Sequence, residues 1–216
     1  MRHPGEGGWC PTMASVGKPR SEAEKRVLIV LYNGFTEYEY EFVVLALYHN
    51  GIPFDVVGLD RREVSGMLDM STKLPRVLGD VDSREFAALV LPGVANGILK
   101  ANGAEEPVDQ QGVFLNPVLQ ETVRQFHREG KLVAAICSAT AVLAAAGILK
   151  ARRFTSPMGD NELFKGAIRV RQPAVRDANI ITGVGARPYH FCDLLVEALA
   201  GEEAASGYRE HVGIHR

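Results

Sequence analysis

The order of apolar and amphipathic segments constrains the fold of this chain most. Continuous apolar runs such as "RVLIVLY", "AALVLPG" and "KLVAAIC" are separated by segments with a helical pattern. A continuous apolar run of this kind is typical of a strand that is buried on both faces of a sheet. Strands that alternate with helices indicate a parallel sheet that helices cover on both sides. The sequence therefore predicts an α/β fold, a three-layer sandwich with a mostly parallel sheet.

The helical segments carry their own start and stop signals. "TEYEYEFVVLALYHNG" is predicted as a helix that stops at Gly51, and "NPVLQETVRQFHREG" as one with Asn116 as N-cap and Pro117 at its first position. "SATAVLAAAGIL" and "PYHFCDLLVEALAG" are the last two predicted helices. Residues 62–79 are polar and punctuated by Gly and Pro, which predicts small strands or a hairpin. Residues 93–112 form a long connection, which is either a lid or a surface excursion.

The length of 216 residues suits one domain, which we place at residues 25–201. Residues 1–24 are rich in Gly, Pro and polar residues and lack the plan of a signal peptide, so we expect a disordered N-terminal arm. Residues 202–216 lose the apolar periodicity and are predicted as a C-terminal tail. His211 and His215 in that tail are separated by Gly213 and have no third ligand nearby, so we expect no metal site there.

Composition excludes several classes of partner. A formal net charge of −2 provides no electrostatic basis for binding nucleic acid or an anionic membrane surface. No apolar run reaches the ~20 residues that cross a bilayer. The three cysteines, at positions 10, 137 and 192, are too few and too scattered for a disulfide framework, so we expect a reducing, cytoplasmic location. Without a phosphate-binding glycine loop or a cluster of metal ligands, we expect no cofactor and no metal, and a small molecule as substrate.

Three features of the sequence fall at the predicted carboxyl ends of strands. They are residues 34–39, the Pro92-Gly93 pair and Cys137. In parallel α/β sheets the ligand site lies outside this edge. We therefore expect the functional site where these three segments meet.

Cys137 lies in "AICSA", a small-x-nucleophile-x-small pattern between a strand and a helix, as in a nucleophile elbow. A helix N-terminus stabilises the negative charge of a thiolate, so this position favours an activated cysteine. The alternative is a buried structural cysteine.

Glu39 also has two interpretations. The pattern Thr36-x-x-Glu39 is that of a capping box, in which the glutamate holds the start of the helix. If the two strand ends are adjacent, however, Glu39 faces Cys137, either hydrogen-bonding the thiolate or acting as a general base.

Backbone amides near Cys137 are candidates for an oxyanion hole. "LVLPGV" ends a strand at Gly93, where the backbone can approach a ligand closely. The next amide, that of Val94, and the amide of Ser138 could then stabilise negative charge beside Cys137. A simple turn at Pro92-Gly93 is the alternative.

Taken together, these motifs resemble the ThiJ/PfpI superfamily. The resemblance rests on the succession G-F-x-x-x-E, "LVLPG", "AAICSA...LAAAGIL", "TSP" and "TGVGARPYHFCDLLVEAL". It implies a flavodoxin-like sandwich of the class I glutamine amidotransferase-like type and a homodimer, with Cys137 as the elbow cysteine and Glu39 as its carboxylate partner. Members of the superfamily include glyoxalases, deglycases, intracellular proteases, isonitrile hydratases, chaperones and oxidative-stress sensors.

The chain departs from some branches of that superfamily. Ser138 follows the cysteine where protease-like and chaperone-like members tend to have a histidine, and Ser156 stands in "FTSPM" where another branch has one. His190 in "RPYHF" is a more distant candidate. The isonitrile-hydratase branch pairs its cysteine with a following hydroxyl residue and an acid, without a histidine. Val94 replaces a glycine, and a β-branched residue resists positive φ, which weakens the oxyanion-hole prediction.

Two classes of function follow. The first is a cysteine-dependent hydrolase or hydratase that acts on a small electrophile, glyoxalase- or deglycase-like, isonitrile-hydratase-like or biosynthetic, and we do not expect a protease. The second is a non-catalytic redox sensor or chaperone-like stress protein in which Cys137 is oxidised.

Overall fold

A six-stranded sheet runs through the centre of the protein. The structure is a computed structural model that describes residues 26–159 and 161–214. Its strands are β1 (Val27–Leu31), β2 (Phe54–Gly58), β3 (Glu63–Ser65), β4 (Ser71–Lys73), β5 (Ala88–Leu91), β6 (Gly97–Leu99), β7 (Glu105–Pro107), β8 (Leu132–Ile136), β9 (Arg153–Phe154), β10 (Ile168–Arg169), β11 (Ala174–Asp177) and β12 (Ile180–Gly183). Its helices are α1 (Glu37–His49), α2 (Gln110–Phe114), α3 (Pro117–Arg128), α4 (Thr140–Ala145), α5 (Pro188–Ala200) and α6 (Glu202–Val212).

The strand order of the central sheet is β11-β12-β8-β5-β1-β2, and all neighbours are parallel except β11 and β12. Every residue of β1, β5 and β8 is buried, because helices cover the sheet. Helices α3 and α4 contact each other and the sheet, α5 contacts the sheet, and α1 contacts α5. The predicted flavodoxin-like α/β sandwich is confirmed, while the antiparallel edge strand β11 comes from a stretch with no clear pattern.

The N-cap and the first residue predicted for α3 are observed in the structure. Asn116 Oδ1 accepts hydrogen bonds from the amides of Val118 and Leu119, and Pro117 opens α3. The predicted helix after Cys137 is shorter than expected: a 3-10 turn covers 137–139, and α4 ends at Ala145.

Two small hairpins extend from the carboxyl edge of the sheet. The antiparallel pair β3–β4 confirms the predicted hairpin within 62–79, and β6–β7 forms another within 93–112. The two are joined by a hydrogen bond from the amide of Leu99 to the carbonyl of Met67 at 2.7 Å. Bridges from Phe35 to Gly66 and to Val94 place the turn between β3 and β4 and the segment after β5 beside the segment that follows β1.

Residues 202–212, in the predicted C-terminal tail, form helix α6, which the sequence pattern did not predict. Only Ala205 and Tyr208 of this helix are buried, which explains the weak apolar pattern. Arg209 donates to Asp193 Oδ1 on α5 at 2.7 Å and thereby joins the two helices. The predicted arm (1–24) and His215 lie outside the described residues, and the domain boundaries stay predictions.

Within the described ranges, no group of three or more His, Cys, Asp or Glu side chains is arranged to hold a metal ion. No helix of the described part is long and apolar enough to cross a membrane.

Candidate active site

Cys137 directly follows β8 at the carboxyl edge of the sheet. Its backbone adopts φ of +60°, which is uncommon for a residue with a side chain and costs energy unless the surroundings impose it. The following residues help to impose it: Thr140 Oγ1 donates to the Cys137 carbonyl at 2.8 Å, and the side chain of Ala139 is fully buried. The local geometry is that of a nucleophile elbow.

Glu39 lies in the first turn of α1 with 0% of its surface exposed. Its Oε2 accepts a hydrogen bond from the amide of Gly93 at 2.7 Å, and its carboxyl group also hydrogen-bonds with the thiol of Cys137. The Thr36 side chain makes no capping hydrogen bond. Glu39 therefore faces the cysteine across the sheet edge, and the capping-box interpretation does not describe its contacts.

Two glycines allow the carboxyl group to approach this closely. A Cβ on Gly93 would lie 2.6 Å from Glu39 Oε2 and 2.8 Å from Cys137 Cβ. A Cβ on Gly185 would lie 2.1 Å from Glu39 Oε1 and 3.1 Å from Cys137 Sγ. Gly185 was not predicted as a site residue, although its position just after β12 places it at the same edge as the other strand ends.

Burial raises the pKa of both ionisable groups. The pKa of Glu39 rises from 4.5 to about 7, because desolvation outweighs the hydrogen bonds from Gly93, Cys137 and Tyr38. The pKa of Cys137 rises to about 12, first through desolvation and then through the negative charge of Glu39. The amides of Ser138 and Gly185 donate to the sulfur and act in the opposite direction.

The predicted thiolate-favouring effect of the helix start is therefore outweighed by burial and by the carboxylate. The two groups titrate as a pair. Above about pH 7, where Glu39 has released its proton, they hold one proton between them, on the sulfur in the ground state. In the ground state the site therefore contains a protonated thiol with a carboxylate beside it that can act as a general base, and it does not contain a free thiolate.

Of the two amides predicted as an oxyanion hole, that of Val94 is engaged within the protein, while that of Ser138 donates to the sulfur. The amide of Gly93 donates to Glu39, and that of Val94 donates to Ser138 Oγ at 2.8 Å. Ser138 Oγ in turn donates to the Val94 carbonyl at 2.8 Å, so Ser138 ties the elbow to the end of β5. Val94 does not adopt positive φ, so its side chain causes no strain. Instead of Val94, the amides of Ser138 and Gly185 surround the sulfur, which corrects the prediction.

Ser156 and His190 do not contact the reacting groups. Ser156 Oγ hydrogen-bonds with Thr140 Oγ1 at 2.8 Å, and Thr140 Oγ1 hydrogen-bonds with the carbonyl of Cys137. Ser156 therefore contacts the elbow only through Thr140. His190 lies in α5, and its buried Nδ1 has no hydrogen-bond partner in the described structure.

A cavity of about 490 Å³ opens above Cys137 and Glu39. It is bounded by the start of α1, by the turn between β3 and β4, by residues 94–96 after β5 and Gln110 of α2, and by the segment after β9. No histidine occurs among the described residues that line it. The lining residues are Thr36, Tyr38, Glu39, Met67, Val94, Ala95, Asn96, Gln110, Cys137, Ser138, Pro157 and Met158.

The model of the DJ-1/PfpI family matches residues 25–198. The chain belongs to this family. Protein dj-1beta of Drosophila melanogaster is 31% identical to it over 183 residues, which cover 83% of this chain and 91% of that protein. Deglycase PfpI of Pyrococcus furiosus is 28% identical over 159 residues, or 73% of this chain and 88% of the relative.

Solved structures of DJ-1/PfpI proteins share the fold. The crystal structure of Drosophila melanogaster DJ-1beta has a TM-score of 0.74 and 26% identity, and the match covers 89% of this chain and 100% of that one. A DJ-1 superfamily protein from Salmonella typhimurium has a TM-score of 0.72 at 26% identity, again with 89% of this chain covered and 100% of the other. The predicted ThiJ/PfpI membership is confirmed. The family includes proteins named as deglycases, which are enzymes.

Proposed function

We propose that this DJ-1/PfpI protein is a Cys137-dependent enzyme that acts on small electrophilic carbonyl compounds, in the manner of a glyoxalase or deglycase. The observation that carries the proposal is the hydrogen-bonded pair of Cys137 and Glu39 at the floor of the cavity. The deglycase names of several relatives support the same class of chemistry. A homodimer and a cytoplasmic location stay predictions.

In the proposed first step, the Glu39 carboxylate accepts the thiol proton while Cys137 Sγ attacks the carbonyl carbon of an aldehyde. The C=O π electrons move to the oxygen, which then takes the proton back from Glu39. The product is a neutral hemithioacetal. The amides of Ser138 and Gly185 stabilise negative charge on the sulfur before the new bond forms.

A 2-oxoaldehyde can then proceed to a 2-hydroxy acid at the same pair. The Glu39 carboxylate removes the C–H proton of the hemithioacetal, and the electron pair forms an enediolate with its negative charge on the former ketone oxygen. That oxygen takes the proton of the neighbouring hydroxyl group, and Glu39 returns its own proton to the former ketone carbon while the C=O bond of a thioester forms. The resulting thioester is hydrolysed by one water, which frees the acid and restores the thiol. An isonitrile could use the same groups, since thiol addition at its terminal carbon followed by uptake of one water yields a formamide.

Turnover of methylglyoxal and of an alkyl isonitrile, measured as product formation by proton NMR, tests the proposal. We expect product from the wild-type protein, and a loss of at least ~100-fold in both Cys137→Ala and Glu39→Gln, the usual contribution of a nucleophile or general base. Cys192→Ala and Glu41→Gln are matched controls, because Cys192 lies in the core and Glu41 on the exposed side of α1. Equal turnover in Cys137→Ala would refute the proposal.

A second candidate function is a redox response at Cys137. The absence of histidine from the described cavity lining favours it, because the pair has no additional proton carrier. Two equivalents of hydrogen peroxide would convert the thiol to a sulfinic acid with release of two waters, and the amides of Ser138 and Gly185 could bind its oxygens. This function predicts a gain of two oxygens at Cys137 by peptide mass spectrometry and a shift in thermal stability, without turnover of any electrophile.

A further inference from the structure

The charge of the cavity above Cys137 limits what can enter it. Among the described lining residues Glu39 has the only carboxyl group, and no lysine, arginine or histidine is present to balance it. Above about pH 7 the Cys137–Glu39 pair carries one negative charge. Lys100, which binds Asp69 in the turn that contains Met67, is paired with Asp69 at 2.8 Å and with Glu106 at 3.1 Å. A carboxylate or phosphate on a ligand would therefore be repelled by the pair, and no cation among the described lining residues would compensate its charge.

The wall of the cavity is apolar at the turn between β3 and β4 and at the segment after β9. Met67 comes from the turn between β3 and β4, while Pro157 and Met158 come from the segment after β9. Methionine is flexible and polarisable, and it adapts to apolar groups of different shape. This side of the cavity is therefore suited to an alkyl or aryl substituent.

Met67 is held in place by backbone hydrogen bonds on both of its sides. Its amide donates to the Phe35 carbonyl at 2.8 Å, and its carbonyl accepts from Leu99. The next amide, that of Leu68, donates to Oε1 of the buried Glu37 at 2.7 Å. Glu37 thus acts as a positioning residue for the turn, and the apolar wall is formed before a ligand arrives.

From these observations we infer that the cavity selects uncharged electrophiles that carry an apolar substituent, and that Met67 and Met158 determine this selectivity. The inference rests on the proposed function, in which the electrophile reacts with Cys137. It extends that function by naming the class of substrate: neutral carbonyl compounds with an alkyl or aryl group, in preference to 2-oxo acids or phosphorylated aldehydes.

Alkylation of Cys137 tests the inference without requiring turnover. The rate constants for iodoacetamide, iodoacetate and N-benzyl iodoacetamide would be measured by peptide mass spectrometry and divided by those for glutathione. This normalisation removes the intrinsic reactivity of each reagent. We expect the benzyl reagent to react fastest and iodoacetate at least tenfold more slowly than iodoacetamide.

The variants Met67→Lys and Met158→Lys should each raise the normalised iodoacetate rate at least fivefold and lower the benzyl rate. Met70→Lys is the matched control, because Met70 lies in the same hairpin with 56% of its surface exposed and does not line the cavity. Thermal unfolding would establish that each variant is folded. As a milder pair, Met67→Ala and Met158→Ala should lower the benzyl rate only.

The outcomes separate the inference from the function on which it rests. Equal normalised rates for all three reagents, or ratios that the lysine variants leave unchanged, would overturn the inference even if methylglyoxal is turned over. The expected ratios together with a complete lack of turnover would support the selectivity and overturn the proposed function. Faster turnover of phenylglyoxal than of glyoxylate would support both.

Discussion

Replacing Glu39 by glutamine should stabilise the protein at alkaline pH. The pKa of this carboxyl group is about 7 in the folded protein against an ordinary value of 4.5. The difference corresponds to about 3 kcal/mol, since each pKa unit is worth about 1.4 kcal/mol. Glu39 is fully buried, so solvent screening does not reduce this effect.

The sign follows from the protons that each state holds. Between pH 4.5 and about 7 the folded protein keeps a proton on Glu39 that the unfolded chain has released. The free energy of unfolding therefore falls as the pH rises through this window, and the full cost is present above it. Glutamine has nearly the same shape, can accept the Gly93 hydrogen bond and carries no charge at any pH.

We expect Glu39→Gln to match the wild type at pH 4 and to exceed its free energy of unfolding by up to about 3 kcal/mol at pH 8. For a chain of this length that difference raises Tm by roughly 6 to 12 °C. Urea unfolding followed by circular dichroism at pH 4, 6 and 8 measures it, with Glu41→Gln as the control that should show no pH-dependent difference. A variant that is no more stable than the wild type at pH 8, or that is equally stabilised at pH 4, would refute the reasoning.

Four further outcomes follow from the site. The kcat/KM for a carbonyl electrophile should rise with pH through about 7, because the ionised Glu39 accepts the thiol proton; a constant kcat/KM between pH 6 and 8 would contradict this. In Glu39→Gln the pKa of Cys137, measured as the midpoint of iodoacetamide labelling, should fall because the carboxylate charge is lost; an unchanged midpoint would show that the charge has no effect. Gly185→Ala should slow both the labelling of Cys137 and turnover at least about tenfold, equal to about 1.4 kcal/mol, because the added Cβ would collide with Glu39. Gly79→Ala is the control and should leave both rates unchanged, because a Cβ at that position would contact no atom. Tyr32→Phe should lower the free energy of unfolding in urea by about 1–2 kcal/mol, because the buried Tyr32 hydroxyl donates to the Pro92 carbonyl, and phenylalanine would leave that carbonyl without this donor. An unchanged free energy of unfolding would argue against this hydrogen bond.

Catalysis and stability oppose each other in this arrangement. A buried carboxyl group with a pKa of about 7 is well suited to exchange protons near neutral pH, but its ionised form destabilises the fold. The elbow adds to this cost, because Cys137 has positive φ. Hydrogen bonds at the strand ends hold the carboxyl group and the elbow in place. The amide of Gly93 donates to Glu39, and Ser138 Oγ donates to the carbonyl of Val94.

Local pattern predicted those parts of the fold that a single segment specifies. The apolar runs of β1, β5, β8 and β12 read as buried strands because helices cover both faces of the sheet. Helix α6 was missed, because only Ala205 and Tyr208 face the core and its attachment through Arg209 depends on a partner in α5. The lid-like role considered for residues 93–112 stays a prediction, although this segment supplies residues to the cavity wall.

The sequence by itself determined the alternation of strands and helices, and from it the edge where Cys137, Glu39 and Gly93 meet. Parallel strands bring their carboxyl ends together whatever lies between them, so this part of the site was predictable from order alone. Only the tertiary structure decided which amides surround the sulfur, since Gly185 has no side chain to signal its role. It also decided the direction of the Cys137 pKa, because desolvation and the charge of Glu39 arise from residues far apart in the chain and outweigh the local effect of a helix start.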